Sequence, residues 1–126
     1  MEDKTRQFIE DIESSVREGC LDDSSEQGNT LFLNVLPRHL MPVCRACMED
    51  GAVFDSAFVS SADPAKGEFT LYYLFRAASI GRMVVVASRG STFDALSETV
   101  NAALWDERKI QDLTGLQWQA SRTPAP

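Results

Sequence analysis

The apolar run Met83-Val-Val-Val-Ala87 constrains the fold of this chain more than any other segment. Consecutive β-branched residues favour a strand, and a strand that is apolar on both faces needs cover on both sides. The run therefore predicts a central strand over 82–88. Just before it, Phe69–Arg76 alternates large apolar residues with Thr70, Tyr72 and Leu74. This alternation predicts a second strand, joined to the first through a turn at 77–81.

The rest of the chain supplies two more strands and three helices. Strands are predicted at 30–36 and 53–60, and the polar, acidic segment 20–28 is predicted to be a loop. Helical spacing of Phe8, Ile12 and Val16 predicts a helix over 3–18. A second helix is expected with Pro42 in its first turn, where a missing N–H costs least. A third should begin at Ser91-Thr-Phe-Asp94 and be followed by an irregular end.

The predicted order α-β-α-β-β-β-α indicates an α+β, two-layer domain with a four-stranded mixed sheet covered by helices on one face. The first two strands could form a parallel crossover, and the last three an antiparallel meander. One domain is expected over 1–118, followed by a disordered C-terminal tail at 119–126.

Composition narrows the class of function. The 126 residues carry a formal net charge of −7, which disfavours binding to nucleic acid. No apolar run approaches the ~20 residues needed to span a bilayer, and Met1-Glu-Asp-Lys does not open like a secretory signal. The 3 cysteines are an odd number, which fits a reducing compartment. A cytoplasmic protein is expected, associated with a membrane only through partners.

The segment Ala103-Leu-Trp-Asp-Glu-Arg-Lys-Ile-Gln-Asp-Leu-Thr-Gly115 carries the main resemblance to a known family. Its Trp105, the pair Glu107-Arg108, Asp112 and Gly115 have the spacing found in the 30 kDa subunit family of complex I, the NADH-quinone oxidoreductase. Lys109 stands where that family usually has a second Glu. The family commonly continues with Gly-His-Pro and a basic stretch, whereas here residues 116–118 lead into the tail. The chain thus resembles the shorter relatives in energy-converting nickel–iron hydrogenases.

The resemblance implies a structural subunit without a cofactor of its own, located on the cytoplasmic face of the membrane. Its implied partners are the large subunit, quinone-binding in complex I and nickel–iron-bearing in hydrogenases, and neighbouring peripheral-arm subunits. The candidate partner-binding residues are Trp105, Glu107, Arg108, Asp112 and Gly115. Trp and Arg are enriched at interface hot spots, which fits this interpretation. Alternatively, Trp105 closes the core, Arg108 pairs inside the domain, and Gly115 serves the backbone alone.

The pair Cys44-Arg-Ala-Cys47 supports a different hypothesis, a small redox or zinc-stabilised domain. A reactive dithiol requires a lowered thiol pKa, which a helix N-terminus can provide. Cys20, His39, Cys44 and Cys47 would together make a Cys₃His zinc set. The simpler interpretation is that positions 44, 47 and 48 form a buried helix stripe. With a single histidine and no phosphate-binding glycine motif, no catalytic residues are expected.

Overall fold

A computed structural model describes residues 2–63, 67–91, 93, 103–114 and 116, without the side chains of residues 61–63, 104, 105, 112 and 113. The predicted tail at 119–126 lies outside the described residues. So does most of the helix expected from Ser91, at 94–102.

The described elements, in chain order, are α1 (Asp3–Ser15), β1 (Asp23–Gln27), β2 (Thr30–Val35), α2 (Pro37–Glu49), β3 (Val53–Asp63), β4 (Glu68–Ala77), β5 (Arg82–Gly90) and α3 (Leu104–Thr114). The strands form one sheet in the order β1-β2-β5-β4-β3. In this sheet β2 and β5 are parallel, and the other neighbouring pairs are antiparallel. The predicted α+β, two-layer fold is confirmed, with five strands in place of four.

The additional strand is β1, in the segment predicted to be a loop. Its residues are half-buried or exposed, and it pairs in register with β2 from Asp23–Asn34 to Gln27–Thr30. Gly28 adopts φ +57° in the turn between the two strands, a conformation that glycine tolerates best. Backbone hydrogen bonds to β2 hold β1 in place, and its polar side chains show no hydrophobic alternation from which a strand could have been predicted.

The central position predicted for the valine-rich strand is confirmed, but its parallel partner differs from the one expected. β5 lies between β2 and β4, and β3 pairs with β4 at the far end of the sheet. The expected parallel crossover from β2 to β3 is therefore wrong, whereas the meander of β3, β4 and β5 is right. Val84 and Val86 are fully buried, and Val85 and Ala87 on the opposite face are nearly so. β5 is therefore a central strand, paired at both edges and buried on both faces.

Helix α2 starts earlier than predicted, at Pro37, and carries Pro42 in its interior. Proline suits the first helical position because its φ is already helical and its missing N–H has no intrahelical partner there. Pro42 removes one hydrogen bond within the helix. The predicted inner stripe is present, with Cys44 and Cys47 fully buried and Met48 half-buried.

The hydrophobic core lies between the helices and one face of the sheet. The sheet contributes alternate residues of its three inner strands, and the helices contribute residues of α1 and α2 and Ile110 of α3. The largest are Leu31, Leu33, Leu71, Tyr73, Phe75, Phe8, Ile12 and Leu40. None of the helices in the described ranges is long and apolar enough to cross a membrane.

Candidate interface at helix α3

Helix α3 contains most of the segment that resembles the 30 kDa subunit family. It forms where the sequence predicted the end of a helix and an irregular segment. Glu107 and Ile110 face the domain and are buried, whereas Arg108, Lys109 and Gln111 are exposed. The charged run of this helix is therefore divided between an inner and an outer side.

Glu107 lies on the inner side and is 2% exposed. Its carboxylate accepts a hydrogen bond of 2.5 Å from the hydroxyl of Tyr73, a fully buried residue of β4. A buried carboxylate needs such donors, because water cannot solvate it. Glu107 thus fixes α3 against the sheet, and its burial prevents direct contact with a partner that docks on the surface.

Asp106 makes a second connection between α3 and the sheet. Its carboxylate accepts a hydrogen bond of 2.9 Å from the backbone N–H of Ala57 in β3. An acid in the first turn of a helix is ordinarily explained by the helix dipole. The sequence therefore held no signal that this carboxylate would bind the backbone of a strand.

The predicted partner-binding residues are only partly described. Arg108 is exposed on α3, next to the buried Glu107. The side chains of Trp105 and Asp112, and Gly115 as a whole, lie outside the described part of the chain. The structure therefore places two of the five residues, and it places them on different sides of the helix.

A groove lies between α3 and the edge strand β3, with a volume of about 380 Å³. Its lining residues come from four consecutive positions of β3, Ser56–Val59, and from Asp106, Lys109 and Ile110 of α3. At its rim, Phe58 is 48% exposed and stacks on Tyr72, with ring centroids 4.7 Å apart. The groove was not predicted from the sequence, because it depends on α3 lying beside β3, an element far away along the chain.

The three cysteines are free and buried. Burial raises the pKa of Cys44 well above its ordinary value, with smaller contributions from Cys47 and Glu107. Burial, followed by Asp50 and Cys20, raises the pKa of Cys47 to about 12. A reactive dithiol needs the opposite shift, so the structure does not support a redox role.

The proposed zinc set also lacks support. Cys20, His39, Cys44 and Cys47 all belong to the described residues. Within the described part of the chain, no three His, Cys, Asp or Glu side chains are grouped so that they could hold a metal ion. The cysteines instead pack in the hydrophobic core.

The fold and this site define a two-layer α+β domain whose last described helix is held to a mixed sheet by two buried or half-buried carboxylates. No family model matches the sequence, and no curated protein matches it. Among solved structures, the domain is similar to a chain of the membrane-bound sulfane sulfur reductase, an archaeal respiratory membrane complex. The TM-score is 0.77 at 16% identity, over 95% of this chain and 73% of that chain. At this identity the likeness shows a shared fold.

Proposed function

We propose that this chain is a non-catalytic structural subunit of a respiratory membrane complex of the complex I type. The observation that carries the proposal is the fold shared with a chain of an archaeal respiratory membrane complex over 95% of the residues. The resemblance of Ala103–Gly115 to the 30 kDa subunit family points to the same class of assembly. The finer assignment, to the form found in energy-converting nickel–iron hydrogenases, rests on that resemblance alone: residues 116–118 are Leu-Gln-Trp where the family commonly has Gly-His-Pro.

In this proposal the domain docks on the large subunit of the complex and on neighbouring peripheral-arm subunits. It has no cofactor of its own, does not bind nucleic acid, and sits on the cytoplasmic face of the membrane through its partners. The docking residues in this proposal are Trp105, Arg108, Asp112 and Gly115, of which Arg108 is exposed on α3. Glu107 acts indirectly, because its bond to Tyr73 sets the position of the helix.

The environment of Cys44 and Cys47 does not support the alternative of a small redox domain. Both thiols of the Cys44–Cys47 pair are buried and hard to deprotonate. Disulfide exchange requires an accessible thiolate that can attack a substrate. The pair is better explained as part of the packing of α2 against the sheet.

Co-expression with the large subunit from the same source tests the proposal. We expect the two proteins to elute together from a size-exclusion column after purification through a tag on this chain. Arg108→Glu should weaken the association, because it reverses a charge on the exposed side of α3. Arg6→Glu is the matched control, since Arg6 is an exposed arginine on α1. Separate elution of two folded proteins would refute the proposal.

A further inference from the structure

Strand β3 offers backbone groups at the outer edge of the sheet. It is the last strand in the order of the sheet and, among the described strands, pairs with β4 alone. The N–H of Ala57 points away from β4, because it binds Asp106 of α3. In an antiparallel pair the outward positions repeat every second residue, so the N–H and C=O of Val59 face outward as well. Within the described part of the chain, the edge at Val59 can therefore accept another strand.

The groove beside this edge provides contacts for side chains. Val59 lines it and is half-buried, whereas Ile110 is 4% exposed and leaves little surface for a partner. Phe58 is 48% exposed and points to the other face of the sheet, because it pairs with Tyr72 and its neighbour Ala57 pairs with Tyr73, which faces α3. The ring of Phe58 is held in place by stacking on Tyr72, so little conformational freedom is lost when a partner covers it. An exposed, pre-ordered aromatic residue beside an open strand edge is a feature of peptide-binding surfaces.

The charges at the groove select the chemistry of the partner. Asp106 and Lys109 both line the groove; the carboxylate of Asp106 keeps its charge but accepts the N–H of Ala57, whereas Lys109 is exposed and can meet a partner directly. At physiological salt, exposed charges more than about 8 Å apart are largely screened from each other. The other negative charges of the chain therefore have little influence on a direct contact with Lys109. The favourable partner at this position is an acidic side chain.

We propose that the groove between β3 and α3 binds an extended, acidic segment of a partner protein, which adds to the sheet as a strand beside Val59. In this arrangement the side chains of the segment alternate between the two faces of the sheet, so that apolar residues cover Phe58 on one face and Val59 on the other, and a carboxylate meets Lys109. The identity of the partner as a subunit of a respiratory complex rests on the proposed function, whereas the binding chemistry of the groove does not.

Synthetic peptides of about eight residues, the length of an ordinary strand, test the groove directly on the full chain. The acidic probe alternates Val and Thr and carries two Glu residues. A basic probe has Lys in place of Glu, and a third has Pro at a central position of the acidic sequence. We expect the acidic probe to shift the NMR amide signals of Ala57 and Val59. The basic probe should bind about twofold to fivefold more weakly, as exposed ion pairs allow, and the proline probe should not pair with the strand.

Two variants keep the test independent of folding defects. Lys109→Glu should reverse the preference between acidic and basic probes, and Phe58→Ser should weaken both by about threefold to tenfold. Arg6→Glu and Leu36→Ser are matched controls, because they change an exposed charge on α1 and an exposed apolar residue just before α2, both away from β3. Equal binding of all three probes, amide shifts confined to other strands, or no binding at all would each overturn the proposal.

The outcome can be separated from that of the co-expression experiment. If the large subunit elutes together with the chain and the probes do not bind, the strand-addition proposal fails and the proposed function stands. If the probes bind as expected and the large subunit elutes separately, the groove keeps its assigned chemistry and the proposed function fails.

Discussion

The hydrogen bond between Tyr73 and Glu107 allows a direct test of how α3 is held to the sheet. Tyr73→Phe removes the hydroxyl that donates to the carboxylate over 2.5 Å and keeps the aromatic ring. That ring is fully buried and lies 6.3 Å from the ring of Phe54, so the packing should change little. Hydrogen bonds to charged groups contribute about 1.5–3 kcal/mol. We expect the free energy of unfolding to fall by an amount in this range.

Urea denaturation followed by circular dichroism measures this loss. With a slope of about 1–3 kcal/mol per molar urea, the midpoint should decrease by about 1 M. Tyr72→Phe is the matched control on the same strand, because the Tyr72 hydroxyl only accepts a 3.5 Å bond from Ser60 at the surface. The control should stay within about 0.5 kcal/mol of the natural sequence. If Tyr73→Phe is as stable as Tyr72→Phe, the bond does not hold α3 as described.

Three further predictions concern pH, thiol chemistry and packing. Burial and the nearby carboxyl of Asp11 raise the pKa of Asp50. The folded state therefore binds this proton more tightly than the unfolded state, and stability falls as the pH rises through the interval above 3.8, the ordinary value. Asp50→Asn should remove this fall and stabilise the protein at pH 7, as pH-dependent denaturation will show. Cys47, with a pKa of about 12, should remain unmodified by iodoacetamide at pH 8 until the protein unfolds, as measured by mass spectrometry. Gly90→Ala should destabilise by about 1–3 kcal/mol in urea denaturation, since its Cβ would lie 2.7 Å from Cγ of Pro37.

Each of these three has a result that contradicts it. An unchanged pH profile in Asp50→Asn would mean that neither burial nor Asp11 raises the pKa of Asp50 in solution. Rapid alkylation of Cys47 in the folded protein would show that α2 opens readily and would revive the dithiol hypothesis. A stable Gly90→Ala variant would mean that the ring of Pro37 can move away at little cost.

The layer architecture followed from local patterns, whereas the strand order did not. The alternation at Phe69–Arg76 and the valines at 83–87 correspond to β4 and β5. Which strand lies parallel to β2 depends on contacts distant in sequence, and a local pattern carries no information about them. β1 was missed because a polar edge strand held by backbone bonds has no hydrophobic period.

In the candidate site, too, local features could be predicted from the sequence, whereas contacts between distant residues could not. The spacing of Glu107 and Arg108 marked α3 as important, but spacing does not tell which side of a short helix faces the core. The burial of Glu107 depends on the Tyr73 hydroxyl from another element. The contact between Asp106 and Ala57 joins residues 49 positions apart, and no sequence motif predicts it. The exposure of Phe58 depends on β3 being an edge strand, which only the assembled sheet reveals.

The parallel pair at the centre of the sheet also constrains how the chain folds. β2 pairs Leu31 with Val84 and Leu33 with Val86, so its main contacts form only after more than half of the chain has been synthesised. Such long-range pairing is slow compared with local hairpins, because a large loop must close first. On the ribosome, β3 and β4 can pair while β2, paired with β1, still lacks its parallel partner β5. The nascent chain therefore exposes apolar strand surface for a time, and folding speed and chaperone demand should depend most on residues of β2 and β5.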